Sequence, residues 1–320
     1  MMKEIIAYSE SPKTALEALE LAKQLARETN ARPVVAHLGK LSGEDTGIYG
    51  KMGAEKIYHV DIPDNARADP SSLSTALAEV AKRADAEIIV IAGTRLGLET
   101  APRLAQKLST GYAAECVNVK VEEGKVIVQR GVLGGTYIAE LMLKKKPYIV
   151  SIQLGKYPPS PSEEKTPEVE KIDVSVSPKL ELIEIQRSEA TGVELEKAEL
   201  IVSVGRGFRK KEDLAIAEEL ARVIGAEIGC SRPIAGDLKW LPEERHIGLS
   251  GKRVRPKLYL AIGISGQVQH LVGMRDSKTV IAINTDPNAP IMQEADYAVV
   301  GDLYKIVPLL TEKLKQTLGK

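Results

Sequence analysis

Short apolar runs alternate along this chain with longer stretches whose apolar residues recur at helical spacing. That alternation constrains the fold more than any single residue does. A strand, a covering helix and a further strand beside the first build a parallel sheet with helices on its faces. Residues 3–8 (KEIIAY) read as a strand. Ser11-Pro12 then supplies an N-cap and a proline at the first helical position. Leu16, Leu19, Ala22, Leu25 and Ala26 make the apolar stripe of the helix that follows. Strands are predicted at 33–38, 56–60 and 87–93, with a helix at 71–84. Near residue 113 the rhythm changes. Residues 114–131 predict a hairpin around Glu123-Gly124, and 136–155 add extended segments, so a smaller antiparallel element is expected to be appended.

A composition break follows. Residues 156–171 are rich in Pro, Ser and Glu and have little to bury, which predicts a loop or mobile excursion. One further strand is expected at 176–187, and the domain boundary at 190, giving domains 1–190 and 191–320. The second series predicts strands at 198–204, 226–230, 258–264, 278–284 and 297–301. Its helices are expected at 211–225, ended by Gly225, at 266–274 and at 302–318. These strands are continuous apolar runs, as expected where both sheet faces are covered. The fold class is therefore α/β, two domains, each with a mostly parallel sheet flanked by helices.

Composition narrows the function. Lys+Arg and Asp+Glu both number 44, so the chain lacks the basic excess of most nucleic-acid binders. Its two cysteines, Cys116 and Cys230, have no CxxC partners, and its four histidines are scattered; no metal site and no disulfide framework is expected. The first residues already read as a core strand, so no leader peptide is expected, and no window nears the roughly 18 apolar residues of a membrane span. A cytoplasmic protein is expected.

The segment 258–274, LYLAIGISGQVQHLVGM, offers Ser265 and His270 as a possible nucleophile and base. A nucleophile elbow needs Gly two residues after the Ser, and Gln267 stands there. Five helical residues also separate the two side chains by roughly 140° around the axis. No catalytic pair is assigned. A ligand-binding reading is better supported, because ligands of open parallel sheets sit beyond the carboxyl ends of the strands. Here those ends carry Gly205-Arg206-Gly207, Ser231-Arg232-Pro233, Ser265-Gly266, Asn284-Thr285-Asp286 and Gly301-Asp302. Glycines admit a phosphate to the backbone, helix N-termini offer unpaired N–H groups, and Arg206 adds charge-assisted hydrogen bonds. Several such ends on one edge suggest a phosphate-bearing ligand of dinucleotide size. In the first domain, Gly93-Thr94-Arg95-Leu96-Gly97 also follows a strand but is read as structural. Trp240 and Met274 are read as packing residues, and Phe208 receives no role.

The segments GRGFRKKEDL (205–214), GCSRP (229–233) and the long block from Gly248 to Pro308 closely resemble the C-terminal half of the electron transfer flavoprotein α subunit. The N-terminal region is similar in its βα order. The resemblance implies a heterodimer with a β subunit, packed against the N-terminal domain, and a Rossmann-like C-terminal domain holding FAD. It implies an electron carrier rather than a stand-alone enzyme, fed by dehydrogenases and emptied by a quinone oxidoreductase or another acceptor. It places Arg206 at the pyrophosphate and Ser231 and Arg232 beside the flavin, where Arg232 stabilises reduced, anionic flavin. Ser250 takes the position facing flavin N5, within the segment Ile247, Gly248 and Leu249. Ser265, Gly266, Gln267, Val268, Gln269 and His270 wrap the ribityl and phosphate portion, with His270 reaching the pyrimidine carbonyl and Ser265 a helix cap and ligand contact. Asn284, Asp302 and Leu303 hold the adenosine end. The family commonly reads G-Q-T-G where this chain has Gly248-Leu249-Ser250-Gly251. The hydroxyl is kept and an amide is lost, which leaves an electron-bifurcating, NADH-dependent complex as an alternative. A nucleotide-dependent enzyme or a nucleotide-binding module using the same crevice is a more remote one.

Overall fold

A computed structural model describes residues 3–133, 135, 137–162, 165–180, 182–184 and 195–319. The chain divides into two compact units, 1–186 and 187–320. The expected boundary at 190 lies outside the described residues.

In the first unit the elements run β1 (Glu4–Tyr8), α1 (Pro12–Thr29), β2 (Arg32–Leu38), α2 (Gly43–Lys51), β3 (Lys56–Val60), α3 (Pro70–Arg83) and β4 (Ala86–Ala92). They continue with α4 (Arg95–Lys107), β5 (Tyr112–Glu122), β6 (Lys125–Val132), β7 (Tyr137–Met142), β8 (Tyr148–Ile152) and β9 (Glu168–Lys171). One sheet holds all these strands in the order β7-β6-β5-β8-β4-β1-β2-β3-β9. Only the β5–β6 and β6–β7 pairings are antiparallel. Successive strand residues face opposite sides, so two cores form. Ile5, Ala7, Val35 and Val90 pack with Leu19, Ala22 and Leu25 of α1. Ile6, Tyr8, Val34 and Ile91 pack with Leu73, Leu77 and Leu104 of α3 and α4. Pro12 starts α1 as expected, with extended Ser11 before it, although the Ser11 side chain caps nothing.

Four expectations change here. The antiparallel strands are not a separate appendage: β8 returns between β4 and β5, parallel to both, and joins them to the main sheet. The hairpin turn is where expected, with Glu123 and Gly124 both at positive φ, the conformation of a two-residue turn that follows strand twist. Among the described residues, the polar segment 156–171 is not without structure. Its end forms β9 along β3, and Ser160 donates from its backbone and hydroxyl to Glu20 of α1. Conversely, no strand exists at 176–187 among the described residues. Ile183 there is exposed, although Val176 at the segment's start packs against one core of the sheet. Helices α2 and α4 were not anticipated. Ser42 and Asp45 form a reciprocal capping box at the start of α2.

The Gly93–Gly97 loop is structural. Thr94 caps α4, and its hydroxyl also donates to Glu10, at 2.9 Å. A side chain of the protein itself thus supplies the carboxylate at this strand edge, and a Cβ on Gly93 would collide with the Ile152 carbonyl.

The second unit runs β10 (Leu200–Val204), α5 (Ala215–Ile224), β11 (Glu227–Cys230), β12 (Leu258–Ile262), α6 (Val268–Met274), β13 (Val280–Asn284), α7 (Pro290–Glu294), β14 (Tyr297–Val300) and α8 (Leu303–Leu318). The expected helix at 211–225 opens with a 3₁₀ turn, Lys211–Leu214, and ends at Gly225 in the left-handed conformation, as predicted. All pairings are parallel, in the order β11-β10-β12-β13-β14. Central strands are buried on both faces, but β14 is an exposed edge, contrary to the expectation of full cover. Trp240 and Phe208 pack in one core, and Met274 in the other. Both cysteines are free and buried, and burial pushes each thiol up to about 12. Among the described residues no helix is long and apolar enough to cross a membrane, and no cluster of three potential metal ligands occurs.

Candidate functional site

Strand order in the second sheet reverses between β10 and β12, and a doubly wound sheet opens its ligand crevice at that point. Two glycine turns meet there. Gly207 donates its N–H to the Gly263 carbonyl at 2.9 Å. A Cβ on Gly207 would stand 2.7 Å from the Gly263 Cα, so only glycine permits this approach. Beside the junction lies a cavity of about 860 Å³, the size of a small-molecule or cofactor site.

Arg206, Ser231, Arg232, Ile247, Leu249, Ser250, Ser265, Gln267, Gln269, His270, Asn284, Asp302 and Leu303 all border the cavity. Of the residues that the resemblance places at the cofactor, Gly248, Gly266 and Val268 do not. Gly248 is buried behind it, where a Cβ would press on the Gln269 carbonyl and the His246 ring. Gly266 packs on the backbone of Ile291 in α7. Val268 opens α6 and is half exposed.

Each wall has a local cause. Ile247 donates to the Cys230 carbonyl and Leu249 to the Gln269 carbonyl, which ties the 247–251 turn to β11 and α6. Leu249 and Ser250 are left exposed at the opening. Asn284 donates to the Ile264 carbonyl at 2.8 Å and accepts from the Asp286 N–H, so its amide braces two strand ends. Asp302 caps α8 by accepting from the Tyr304 N–H. Ser265 is not a cap: the residue preceding α6 is Gln267, and no side chain caps that helix.

His270 is 7% exposed, and its Nε2 lies 2.9 Å from the hydroxyl of the fully buried Tyr259. Burial pushes its pKa down to about 4, opposed by the Ile247 carbonyl, so the ring is neutral at pH 7. Nδ1 makes no full hydrogen bond. With Nε2 engaged by Tyr259 and no Ser265–His270 hydrogen bond among the described residues, the nucleophile–base pair is not formed. His246, which also borders the cavity, is held below the usual histidine range as well, first by burial and then by Arg232.

The sequence reading missed Tyr304, His246 and Ile283 as cavity residues. Tyr304 alone carried a signal, an aromatic hydroxyl in the first turn of a helix that starts at a strand end. A second correction concerns the phosphate loop. The N–H groups of Gly207, Phe208 and Arg209 are all spent, on Gly263, Gly205 and Tyr304. In this loop the guanidinium groups of Arg206 and Arg209, rather than those amides, are therefore the donors that border the cavity.

This donor set fits FAD. The cavity joins a cation-rich end at the glycine turns to a mixed wall of hydroxyls, amides and two neutral histidines. The buried Nδ1 of His270 also offers a polar atom not satisfied within the protein.

Comparison with known proteins identifies the family. Residues 194–275 match the electron transfer flavoprotein FAD-binding domain, and residues 9–177 match the electron transfer flavoprotein domain. The chain is 34% identical over 316 residues to Protein FixB of Escherichia coli O157:H7, covering 97% of this chain and 98% of that one. It is similar to the same extent to Protein FixB of Shigella flexneri, 34% identical with the same coverage. The chain thus belongs to the electron transfer flavoprotein α-type (FixB) family, and its C-terminal unit is an FAD-binding domain.

Proposed function

We propose that this chain, an FAD-binding α-type subunit that pairs with a β subunit, carries electrons from dehydrogenases to a quinone oxidoreductase or similar acceptor in the cytoplasm. The observation that carries the site assignment is the junction of Gly207 and Gly263 at the switch point, flanked by Arg206 and Arg232. Bound FAD supplies a ring system that takes up and releases electrons. The protein's own part is to hold and bias that ring.

Arg206 would hold the diphosphate, and Asn284, Asp302 and Leu303 the adenosine end. Arg232 and Ser231 would lie at the flavin end with Ser250, and the 265–270 turn along the ribityl chain. A fixed guanidinium at that end favours whichever ligand form carries more negative charge. Neutral His270 can donate or accept one hydrogen bond without adding charge. Ser250, exposed at the opening, keeps a hydroxyl where the family commonly has threonine.

The N-terminal domain is proposed to pack against the β subunit. Its edge strand β7 leaves Tyr137, Ile138, Leu141 and Met142 exposed, an apolar surface that suits a protein partner. Two free thiols suit a reducing compartment.

The test is to purify the chain co-expressed with its β-type partner and count the FAD released per heterodimer. One FAD is expected. A second would assign another flavin to the partner and make NADH the donor to assay. A folded complex without flavin would overturn the assignment.

A further inference from the structure

The loop that carries Arg206 is fastened at its far end by a side chain outside it. Tyr304, in the first turn of α8, accepts a hydrogen bond from the Arg209 N–H at 2.8 Å. The same hydroxyl donates to Asp213 at 2.6 Å. Asp213 belongs to the 3₁₀ turn that precedes α5, so one oxygen joins the loop, α8 and that turn. The ring contributes as well. The Arg209 guanidinium sits 5.1 Å from its centroid, and the Phe208 ring packs against it edge-to-face with the centroids 6.3 Å apart. Arg206, Arg209 and Tyr304 border the same cavity.

These contacts set the position of Arg209 directly and hold the end of the loop that carries Arg206. An arginine free in solvent surrenders rotamer freedom when it binds, and one held in advance does not. Arg209 is held from two sides, by its own amide and by the face of the ring. The loop amides at 207–209 are spent internally, so the arginine side chains are what this loop offers an anion.

We propose that Tyr304 is a positioning residue for dinucleotide binding: its hydroxyl and ring fix the 205–209 loop so that Arg206 and Arg209 together meet the diphosphate. This rests on the reading of the cavity as the FAD site. It makes the affinity for the diphosphate, and not the behaviour of the flavin ring, depend on Tyr304.

The test uses the full chain in complex with its β-type partner, stripped of flavin and titrated with FAD, with riboflavin, which lacks the diphosphate and the adenosine, and with ADP, which keeps both without the flavin. In a Tyr304 variant ADP should lose affinity as FAD does, whereas adenosine alone should not. Tyr304→Phe keeps the ring and removes the hydroxyl. One lost hydrogen bond of ordinary strength predicts FAD binding weaker by about tenfold. Riboflavin binding and the potential of the bound flavin should stay as in the unaltered protein. FAD affinity within twofold of the unaltered protein would overturn the proposal. So would an equal loss for FAD and riboflavin, which would make Tyr304 a structural residue only. If Tyr304→Phe does not fold, Asp213→Asn decides, because it weakens the same clasp from its other end: loss of FAD affinity is expected, and an unchanged affinity overturns the proposal. Should the unaltered complex bind no FAD, the site assignment itself fails, an outcome distinct from failure of the clasp.

Discussion

Tyr259 and His270 share a 2.9 Å hydrogen bond beneath the cavity, and it turns the imidazole into the protein rather than towards Ser265. Burial holds His270 near a pKa of about 4, below the ordinary histidine value. In the unfolded chain the ring takes up a proton as the pH falls through about 6.5, whereas in the folded chain it stays neutral until about 4. The unfolded state therefore binds more protons across that window, and stability rises with pH within it. Between pH 6.5 and 4 this group removes up to about 3 kcal/mol of stability. His270→Gln should flatten that part of the stability profile in urea melts. An unchanged slope would show that other groups set it.

The approach of Gly207 to Gly263 leaves no room for a methyl group. Gly207→Ala should push the two turns apart, because the obstacle is backbone and cannot rotate away. FAD affinity is expected to fall at least tenfold, about 1.4 kcal/mol, while the far-ultraviolet circular dichroism of the complex persists. Equilibrium dialysis with FAD reads this directly. Retention of full affinity would mean that the junction is not part of the site.

Much of this was legible in the sequence because the signals were local. Apolar runs ending in glycine marked β10 and β12, and the same glycines marked the crevice. Their contact across the sheet was not legible, since it depends on strand order. The strand expected at 176–187 depends on packing as well: strand propensity is realised where a side chain gains burial, and Ile183 is exposed. In turn β9 forms from polar residues because β3 offers an edge, and Lys56 pairs with Glu170 across it at 2.6 Å. Tyr304 escaped notice because its partners, Arg209 and Asp213, lie far away in sequence. Ser265 looked like a helix cap in sequence, yet the chain turns through Gly266, at positive φ, to Gln267 before α6 begins.

Arg232 is exposed at the cavity, and its charge already depresses His246. Replacing it with alanine removes a positive charge from the proposed flavin end. The form of the ligand carrying more negative charge then loses support, so the midpoint potential should fall. A loss of about 1.4 kcal/mol corresponds to roughly 59 mV for a one-electron couple. Arg232→Lys should restore part of the shift, because charge rather than shape is responsible. Spectroelectrochemical titration gives the answer, and an unmoved potential in Arg232→Ala would remove this residue from the flavin end.

Ser250 separates tuning from binding. The turn that holds it is tied down by its backbone, through Ile247 to Cys230 and Leu249 to Gln269, and not by the serine hydroxyl. Ser250→Ala should therefore leave the turn in place and cost little FAD affinity, within about threefold for one exposed hydroxyl. If the hydroxyl faces the redox-active part of the flavin, the potential should move all the same. Ser250→Thr, which keeps a hydroxyl on the β carbon, should hold the potential near that of the unaltered protein. The two measurements must be made on one preparation. Loss of FAD at an unchanged potential would make Ser250 a binding residue and place the redox-active edge elsewhere along the cavity wall.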